Sequence, residues 1–596
     1  MKRLLGYLRP YGWQVAVALT AIILKAGCDV LQPYLVKVAI DRYLSPQVNS
    51  SSFLARWLKP NAAAGIAQVA AIYISLLVAS FLFDFLQTYY MQWTGQKVMF
   101  DLRSQIFRHL QRMHLAFFDR NPVGRLVTRV TTDVDALNEM FTAGVVSIFE
   151  DVFVLAGIIA IMLVMKWWLA LITFSVLPLI FAATMVFRKE VRDSYRRIRV
   201  AIARINSFLQ EHVTGMVVLQ LFNREKRAYQ RFKQINAMHM EAFKDAILAY
   251  AVYYPVVEVL SSFAIAAIFW FGGNSVLHGQ LQRAAGRGVI TIGILTAFMQ
   301  YAQRFFRPIQ DLSDKYNILQ SAMASSERIF NLIDTPPEIS SPAQPKRAEG
   351  QGSIEFDHVW FAYRKLPIED DKAAAANSQP PGPEDWDWVL RDVSLTIAPG
   401  ESVAVVGHTG AGKTTLISLL LRFYDVQRGA IRIDGVDIRE LELNDLRRRF
   451  GVVLQDPFLF SGTIEQNIRM GTKSVTRGIV QRAAEDVNIA EFINSLPRAY
   501  EEEVRERGST LSTGQKQLIS FARALAHEPR ILILDEATSS VDTETEFRVR
   551  DALANMVSGR TSVIIAHRLS TIQRADKIVV MHKGRVREIG SHQQLL

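Results

Sequence analysis

Long apolar stretches occupy the first half of the chain. A helix needs about 20 mainly apolar residues to cross the hydrocarbon core of a membrane, and this criterion predicts six spans. They are Gln14–Val38, Ala64–Leu86, Ala143–Met165, Trp167–Phe187, Ala246–Gly272 and Val289–Phe306. An even number of spans places both termini on the same side of the membrane.

Basic residues follow the second and the fourth span. They are Arg103, Arg108, Arg112, Arg120, Arg125, Arg129, Arg188, Lys189, Arg192, Arg196, Arg197 and Arg199. Such enrichment marks the cytoplasmic side. Apolar residues recur there at helical spacing, as at Ile106, Leu110 and Met113, so we expect the helices to continue beyond the membrane. We expect short turns at Phe117–Arg125 and near Leu221–Arg227.

The pattern changes after the last span. Residues 335–352 are rich in proline, serine and glycine and show no periodicity, which predicts a linker. Short β-branched runs beginning at Ser402, Ile531 and Ser562 then alternate with helical patterns. The sequence thus predicts a multi-domain chain: an all-α transmembrane domain with six helices over 1–334, and an α/β domain over 353–596.

Composition agrees with a membrane half joined to a charged half. Hydrophobic residues make up 50% of the 596 positions, and the net charge is +11. Because the basic residues cluster beside the spans, they indicate topology, and we expect no nucleic-acid partner. The single cysteine, Cys28, excludes an internal disulfide framework. The first apolar run contains Lys25 and Asp29 and is too long for a signal peptide.

A glycine-rich loop follows the predicted strand at Ser402 and precedes a helical run. The loop is GHTGAGKT, a G-x-x-x-x-G-K-[ST] pattern. Its residues, with the next threonine, are Gly407, His408, Thr409, Gly410, Ala411, Gly412, Lys413, Thr414 and Thr415. Backbone N–H groups of such a loop bind phosphate, Lys413 neutralises the β- and γ-phosphates, and the Thr414 hydroxyl binds Mg²⁺. The loop therefore predicts ATP and Mg²⁺ as ligands.

Two further strand ends carry candidate chemistry. The run ILILDE ends a buried strand with Asp535, which can bind the metal, and Glu536, which can polarise the attacking water. His567 ends the next buried strand, where it can contact the γ-phosphate. Taken alone, an acidic pair is as often a helix start, and a lone histidine at a strand end is more often solvated.

The ordered motifs resemble the nucleotide-binding domain of ABC transporters. They are VVLQDP with Gln455, LSTGQKQ from Leu511, LILDEATSSVD ending at Asp542, and IIAHRLST around His567. FFDRNPVGRLVTRVTTDVD, from Phe117 to Asp135, is similar to the first coupling-helix region of type I (type IV in newer usage) ABC exporters. The resemblance covers almost the whole chain.

The resemblance implies roles that the residues alone do not establish. Tyr363 would stack on adenine, Gln455 would link Mg²⁺ and the γ-phosphate to the coupling helices, and Asp542 would lie at a dimer interface. The signature comprises Leu511, Ser512, Thr513, Gly514 and Gln515. Its Ser512 and Gly514 would contact the nucleotide held by another subunit, so the chain would be one half of a dimeric transporter.

Two features depart from the family pattern. Thr513 replaces a glycine of the usual signature LSGGQ, and its side chain would crowd a close approach of backbone to phosphate. Since Glu536 is present, this resembles the catalytically intact half of a heterodimeric exporter, and we favour a heterodimer; a homodimer with a tolerated threonine stays open. An acidic, proline-rich insertion at 366–387 predicts a surface loop, inert or regulatory.

Charged and aromatic residues within the spans are candidates for substrate contact. The charged ones are Lys25, Asp29, Asp84, Glu150, Asp151 and Glu258, and the aromatic ones are Tyr89, Tyr90, Trp93, Tyr250, Tyr253, Tyr254 and Phe298. Intramembrane charges usually face a cavity, and acidic ones would suit cationic amphiphiles. Pairing with cations on other helices, and packing or lipid contact for each ring, are the alternatives.

The sequence therefore predicts an ATP-hydrolysing exporter or flippase for hydrophobic or amphipathic compounds. It would lie in a cell membrane, in contact with membrane lipid, with both termini and the ATPase domain in the cytoplasm. An ATP-gated channel or regulator and a peptide exporter are the alternatives. For the latter we expect no N-terminal protease domain, because the first span follows Met1 almost at once.

Overall fold

The chain divides into two compact units. The computed structural model describes residues 2–45, 57–277, 290–365, 386–535, 543–566 and 569–596. The first unit comprises Met1–Gln111 and Val123–Thr335, and the second comprises Arg112–Pro122 and Pro336–Leu596. Nearly all of the predicted linker, 335–352, therefore groups with the second unit, and so does one short segment from between the second and third predicted spans.

The described residues of the first unit are mainly helical. Its helices are α1 (Lys2–Leu8), α2 (Gly12–Ala39), α3 (Ala62–Leu110), α5 (Val123–Val130), α6 (Thr132–Glu139), α7 (Val146–Phe174), α8 (Leu177–Thr214), α9 (Met216–Leu221), α10 (Glu225–Ala267), α11 (Gly273–Leu277) and α12 (Ile292–Asp334). The predicted extensions of the long helices are confirmed, since α3 continues to Leu110, α8 ends at Thr214 and α10 begins at Glu225.

Four described helical segments are long and apolar enough to cross a membrane. They are Gly6–Leu44, Ala62–Leu110, Val123–Phe174 and Glu225–Leu277. The predicted boundary between the third and fourth spans coincides with Lys166, whose backbone leaves the helical region at φ −159° and ψ 96°. None of these four segments covers the whole of the predicted fourth span or any part of the sixth. The total of six membrane spans therefore stays a prediction.

An aromatic and aliphatic core joins α7, α8, α10 and α12. Phe298 and Tyr301 on α12 are fully buried in it. Tyr253 on α10 stacks on Phe187 of α8, with ring centroids 4.0 Å apart and planes inclined by 12°. Phe298 and Tyr253, two of the predicted substrate-lining aromatics, therefore serve helix packing in this structure.

The second unit is α/β, as predicted. Its strands are β1 (Ile354–Lys365), β2 (Trp386–Ile397), β3 (Ser402–Val406), β4 (Arg428–Ile433), β5 (Val436–Asp437), β6 (Phe450–Val453), β7 (Gly462–Thr463), β8 (Glu503–Val504), β9 (Ile531–Asp535), β10 (Thr561–Ile565), β11 (Lys577–His582) and β12 (Arg585–Gly590). Its helices are α4 (Leu115–Arg120), α13 (Lys413–Leu420), α14 (Leu443–Arg448), α15 (Ile464–Arg469), α16 (Arg477–Asp486), α17 (Ala490–Ser495), α18 (Thr513–Ala526), α19 (Thr543–Val557), α20 (Leu569–Ile572) and α21 (His592–Leu595).

The main sheet of the second unit orders its described strands as β12-β11-β3-β10-β9-β6. Pairings among β11, β3, β10, β9 and β6 are parallel, and β12 joins β11 antiparallel. Successive residues of β9 enter two different cores: Ile531 and Ile533 pack with α13, while Leu532 and Leu534 pack with α18. Because side chains alternate along a strand, α13 and α18 cover opposite faces of this sheet. A smaller antiparallel sheet is ordered β2-β1-β4-β5 in the described residues.

The predicted linker is fastened along the second unit. The Lys346 backbone N–H donates to the Glu440 carbonyl at 2.9 Å. Two guanidinium groups bind carbonyls further along the segment: Arg449 donates to Ala348 and Arg530 to Gly350, each at 2.6 Å. Residues 346–350 therefore run against this unit as a bound strap.

Candidate nucleotide-binding site

The glycine-rich loop lies between β3 and the start of α13, where the sequence predicted it. Gly407 has φ +156°, and a Cβ there would lie 2.3 Å from the Met581 carbonyl oxygen. Gly412, the N-cap of α13, is left-handed with φ +99°, and its Cβ would meet Leu390 at 2.6 Å. Only glycine fits both positions. The tight loop leaves the first N–H groups of α13 without intrahelical partners, which is the arrangement that binds phosphate.

Lys413 is the first residue of α13 and is 7% exposed. Its ammonium donates hydrogen bonds to the carbonyls of Gly407 at 2.7 Å and His408 at 3.1 Å. Burial lowers the pKa of this ammonium, and nearby Asp535 opposes that shift. A cation is unfavourable both in a buried position and at a helix N-terminus. This electrostatic arrangement is suited to an anion.

The other loop residues divide into an exposed rim and a buried base. His408, Thr409, Gly410 and Thr414 are exposed, and Ala411 and Thr415 are buried. The Thr415 hydroxyl accepts a hydrogen bond from the Tyr363 hydroxyl at 3.0 Å. Tyr363 is thus held next to α13 while 42% of the residue stays exposed. Burial raises the pKa of its phenol, partly offset by the bond to Thr415.

Asp535 is buried at the carboxyl end of β9. By alternation along the strand it follows Ile531 and Ile533 onto the face that carries α13, which explains its electrostatic contact with Lys413. β10 lies between β9 and β3. The other predicted groups of this region, Glu536, Asp542 and His567, lie outside the described residues and stay predictions.

Gln455 lies just beyond β6, and its side chain is exposed. β6 pairs in parallel with β9, with Val453 opposite Leu534. Since parallel strands end at the same edge of a sheet, Gln455 and Asp535 follow neighbouring strands at one edge. The sheet topology thus places the glycine-rich loop, Gln455 and Asp535 at its carboxyl edge, which is where α/β proteins bind ligands.

The signature Leu511–Gln515 forms the start of α18. The Ser512 hydroxyl accepts from the Gln515 N–H at 3.2 Å, and the Gln515 side chain accepts from the Ser512 N–H at 2.9 Å, which completes a capping box. Thr513 is exposed and Gly514 is buried. Since α18 and α13 cover opposite faces of the sheet, the signature lies away from the chain's own glycine-rich loop.

One contact escaped sequence reasoning. The Tyr424 hydroxyl donates a hydrogen bond to Asp119 of α4, which lies within the predicted turn Phe117–Arg125. Burial and this bond raise the pKa of the Tyr424 phenol. Tyr424 also meets Tyr363 edge to face, with centroids 5.1 Å apart. A separation of 305 residues gives no local signal for the pair.

The fold and site define a P-loop ATPase joined to a membrane-spanning helical unit. Comparison with known proteins then gives the family. Residues 15–309 match the ABC transporter transmembrane region, and residues 390–539 match the ABC transporter family. The chain belongs to the ABC transporter family, and the sequence resemblance is confirmed.

Relatives match along most of their own lengths. The chain is 37% identical over its full length to YknV of Bacillus subtilis (strain 168), named an uncharacterized ABC transporter ATP-binding protein, of which 92% is covered. It is 34% identical over its full length to the ATP-dependent lipid A-core flippase of Syntrophus aciditrophicus (strain SB), of which 92% is covered. It is 35% identical over 89% of the chain to YheH of Bacillus subtilis (strain 168), of which 75% is covered and whose name is "Probable multidrug resistance ABC transporter ATP-binding/permease protein".

Family membership confirms several predictions. The chain is a multi-pass membrane protein with a cytoplasmic ATPase domain, and it hydrolyses ATP to drive export. It has the architecture of a half-transporter, one membrane region followed by one ATPase region, and such halves work as dimers.

Proposed function

We propose that the protein exports or flips hydrophobic or amphipathic compounds, drugs or lipids, by binding and hydrolysing ATP together with a second half-transporter. One combination of features carries this proposal. Lys413 of α13 and Asp535 of β9 are both buried on the same side of the main sheet, and the same chain contains long apolar helices. The names of two relatives, a lipid A-core flippase and a multidrug resistance protein, support this substrate class.

Mg²⁺ fits the oxygen groups at the carboxyl edge of the sheet. The Asp535 carboxylate ends β9, and the Thr414 hydroxyl is exposed in the first turn of α13. Hydroxyl, carboxylate and phosphate oxygens with water are the ligands that this ion prefers, and Gln455 would complete the set. When bound, Mg²⁺ neutralises developing charge on the phosphates. Lys413 holds the same phosphates, Glu536 orients and polarises water, and His567 contacts the γ-phosphate.

A nucleotide on this loop would be closed over by the signature of the partner chain. The opposed positions of α13 and α18 support this arrangement, because one chain does not present its loop and its signature on the same face. Tyr363 would support the adenine from the loop side, and Asp542 would lie at the interface of the two ATPase domains. Binding of two nucleotides would favour the closed dimer by its higher affinity for that state, and hydrolysis would release it.

The contact between Tyr424 and Asp119 supports transmission of that closure. Asp119 belongs to α4, the short helix that follows α3 along the chain, and Tyr424 lies against Tyr363 beside the proposed adenine site. Closure around a nucleotide would therefore act on α4, and through it on the long helix α3.

The partner is proposed to be a different chain. Thr513 is exposed at the start of α18, so its side chain would face a nucleotide held by the partner. We expect intact-mass measurement of the affinity-purified chain, expressed in its native host, to find a second ABC half-transporter with LSGGQ and without the catalytic glutamate. A single mass from a dimer of this chain would make both sites equivalent and Thr513 a tolerated variant.

Transport itself tests the proposed function. Proteoliposomes containing the purified assembly are expected to accumulate an amphipathic fluorescent dye against its gradient when ATP is outside, where the ATPase domain of inverted molecules lies. Matched vesicles with a non-hydrolysable ATP analogue should show no accumulation. Ion current without uphill dye movement would instead support the gated channel.

A further inference from the structure

We propose that a cavity between α3 and α7 binds the cationic amine head group of an amphipathic substrate, an inference that rests on the proposed export function. The cavity has a volume of about 170 Å³. Its wall comprises Asp84, Gln87, Thr88, Met91, Gln92, Thr142, Val146, Ser147 and Glu150. Thr142 belongs to a π-helical turn at Met140–Val145, a feature that is often functional within a helix.

The cavity holds more negative than positive charge. Lys25 on α2 is the described cation within ion-pair distance of its carboxylates, contacting Asp84 and lying 2.8 Å from Glu150. One ammonium therefore faces two carboxylates. Three neighbouring charged groups have other partners: Lys315 pairs with Asp151, the Arg304 guanidinium donates to the backbone carbonyl of Asp29, and the Asp29 carboxylate accepts from the Ser80 hydroxyl. Because unbalanced charge within a membrane protein is costly, a second cation would stabilise this group.

The Gln87 side chain supplies a second, independent observation at this cavity. The residue is 4% exposed and its amide nitrogen donates to Glu150 at 3.3 Å. Its side-chain oxygen is buried and has no hydrogen-bond partner among the described residues. An unpaired buried acceptor is expensive, and a turn of the Gln87 amide toward a donor in the cavity would satisfy it. The acceptors of Gln87, Asp84 and Glu150 together match the several N–H donors of an alkylammonium group.

A shallow, open aromatic groove on the surface of α3 adjoins this cavity. It is lined by residues of this one helix: Phe85, Thr88, Tyr89, Gln92, Trp93 and Gln96. Thr88 and Gln92 line both spaces. The rings of Phe85 and Tyr89 stack with centroids 6.0 Å apart, and both residues are 55% exposed. At the far end, the Lys97 ammonium lies over the Trp93 ring.

The two spaces together fit one kind of molecule. The acidic cavity takes a single positive head group, and the groove takes its apolar body. Aromatic faces also attract cations, so the rings of Phe85 and Tyr89 favour the positive head group near the cavity. A neutral lipid or an alcohol of the same length would also contact the groove, but the negative charge of the second carboxylate would stay unbalanced. An anionic head group would be repelled by the carboxylates of the cavity. The structure therefore assigns amine-bearing amphiphiles to this site.

Head-group matching tests the assignment. Three dansyl-labelled dodecyl probes that differ only in their free end, ammonium, hydroxyl or carboxylate, are titrated into the full assembly in lipid nanodiscs without nucleotide. We expect the ammonium probe to bind most tightly. Glu150→Gln should weaken its binding about 10- to 100-fold, as expected for the loss of a hydrogen bond to a charged group, and should leave binding of the hydroxyl probe unchanged. Gln87→Leu should weaken it to a smaller extent.

Glu190→Gln is the matched control, because Glu190 is an exposed carboxylate of α8 outside the cavity. Unchanged hydroxyl-probe binding shows that each variant is folded. Equal binding of the three probes, or equal losses in Glu150→Gln and Glu190→Gln, would overturn the assignment. A preference for the carboxylate probe that Lys25→Met abolishes would also overturn it. The binding assay needs no ATP. Retained amine binding without ATP-driven transport would therefore refute the proposed function alone.

Discussion

Replacing Glu536 with glutamine is expected to slow ATP turnover by about 10²- to 10⁴-fold while ATP still binds. Glutamine keeps the size of glutamate but cannot accept a proton, and general-base catalysis contributes a factor of that order. Binding depends on the glycine-rich loop and on Lys413, which the change leaves intact. Phosphate release and equilibrium binding of a fluorescent ATP analogue, both on the assembled transporter, measure the two effects separately.

Glu528→Gln is the matched control for Glu536, since it makes the same change at an exposed glutamate. It should leave turnover unchanged. A homodimer carries Glu536→Gln at both sites, and a heterodimer whose partner lacks the glutamate has no other base, so both lose nearly all activity. If the partner chain has its own catalytic glutamate, the site that uses this glutamate should keep its share of the ATP turnover. Undiminished turnover by Glu536→Gln in any assembly would show that another group activates the water.

Local patterns predicted the ATPase domain because its site is built from contiguous segments. The run ILILD is apolar on both faces, which indicates a strand buried between two layers, and the structure places its alternate residues in two cores. The loop before α13 needs glycine at Gly407 and Gly412 for steric reasons that the motif itself expresses. Lys413 breaks two local preferences at once, burial and helix position, and such conflicts mark functional sites.

Hydrophobic periodicity could not predict which polar residues meet at the proposed substrate cavity. Lys25, Asp84 and Glu150 were each predicted as candidates, but they lie on three helices, and Lys25 is 59 residues from Asp84. Hydrophobic spacing shows that a helix has a polar position, but not which neighbour that position faces. Gln87 lies one turn after Asp84 on α3, so the spacing i, i+3 was a signal that sequence reasoning missed.

Composition alone did not indicate how the predicted linker is held. Residues 335–352 have the proline, serine and glycine content of a spacer, yet Lys346 is hydrogen-bonded to Glu440 and residues further along are held by arginines. Lack of periodicity excludes a helix or a strand with one buried face. The lack of periodicity gives no information about hydrogen bonds between the backbone of this segment and distant residues, such as those that the carbonyls of Ala348 and Gly350 accept.

Lys413→Ala is expected to weaken ATP binding at this chain's site by about 10- to 100-fold. Hydrogen bonds to charged groups contribute about 1.5–3 kcal/mol, and 1.4 kcal/mol corresponds to tenfold in affinity. In the structure, the ammonium donates hydrogen bonds to the carbonyls of Gly407 and His408. It must turn from them to a phosphate, and the anion removes the cost of keeping a cation buried at the start of α13. Alanine removes that charge and leaves the loop glycines in place.

Photolabelling by an azido-ATP analogue measures the loss chain by chain, because the mass of each labelled subunit identifies it. Labelling of this chain at limiting analogue should fall in Lys413→Ala and stay unchanged in Lys473→Ala, the same change at an exposed lysine. If the partner is a different chain, its own labelling should persist, since its loop is intact. Equal labelling of wild type and Lys413→Ala would mean that the backbone N–H groups of the loop hold the phosphates alone. The burial of Lys413 beside Asp535 would then have a structural purpose.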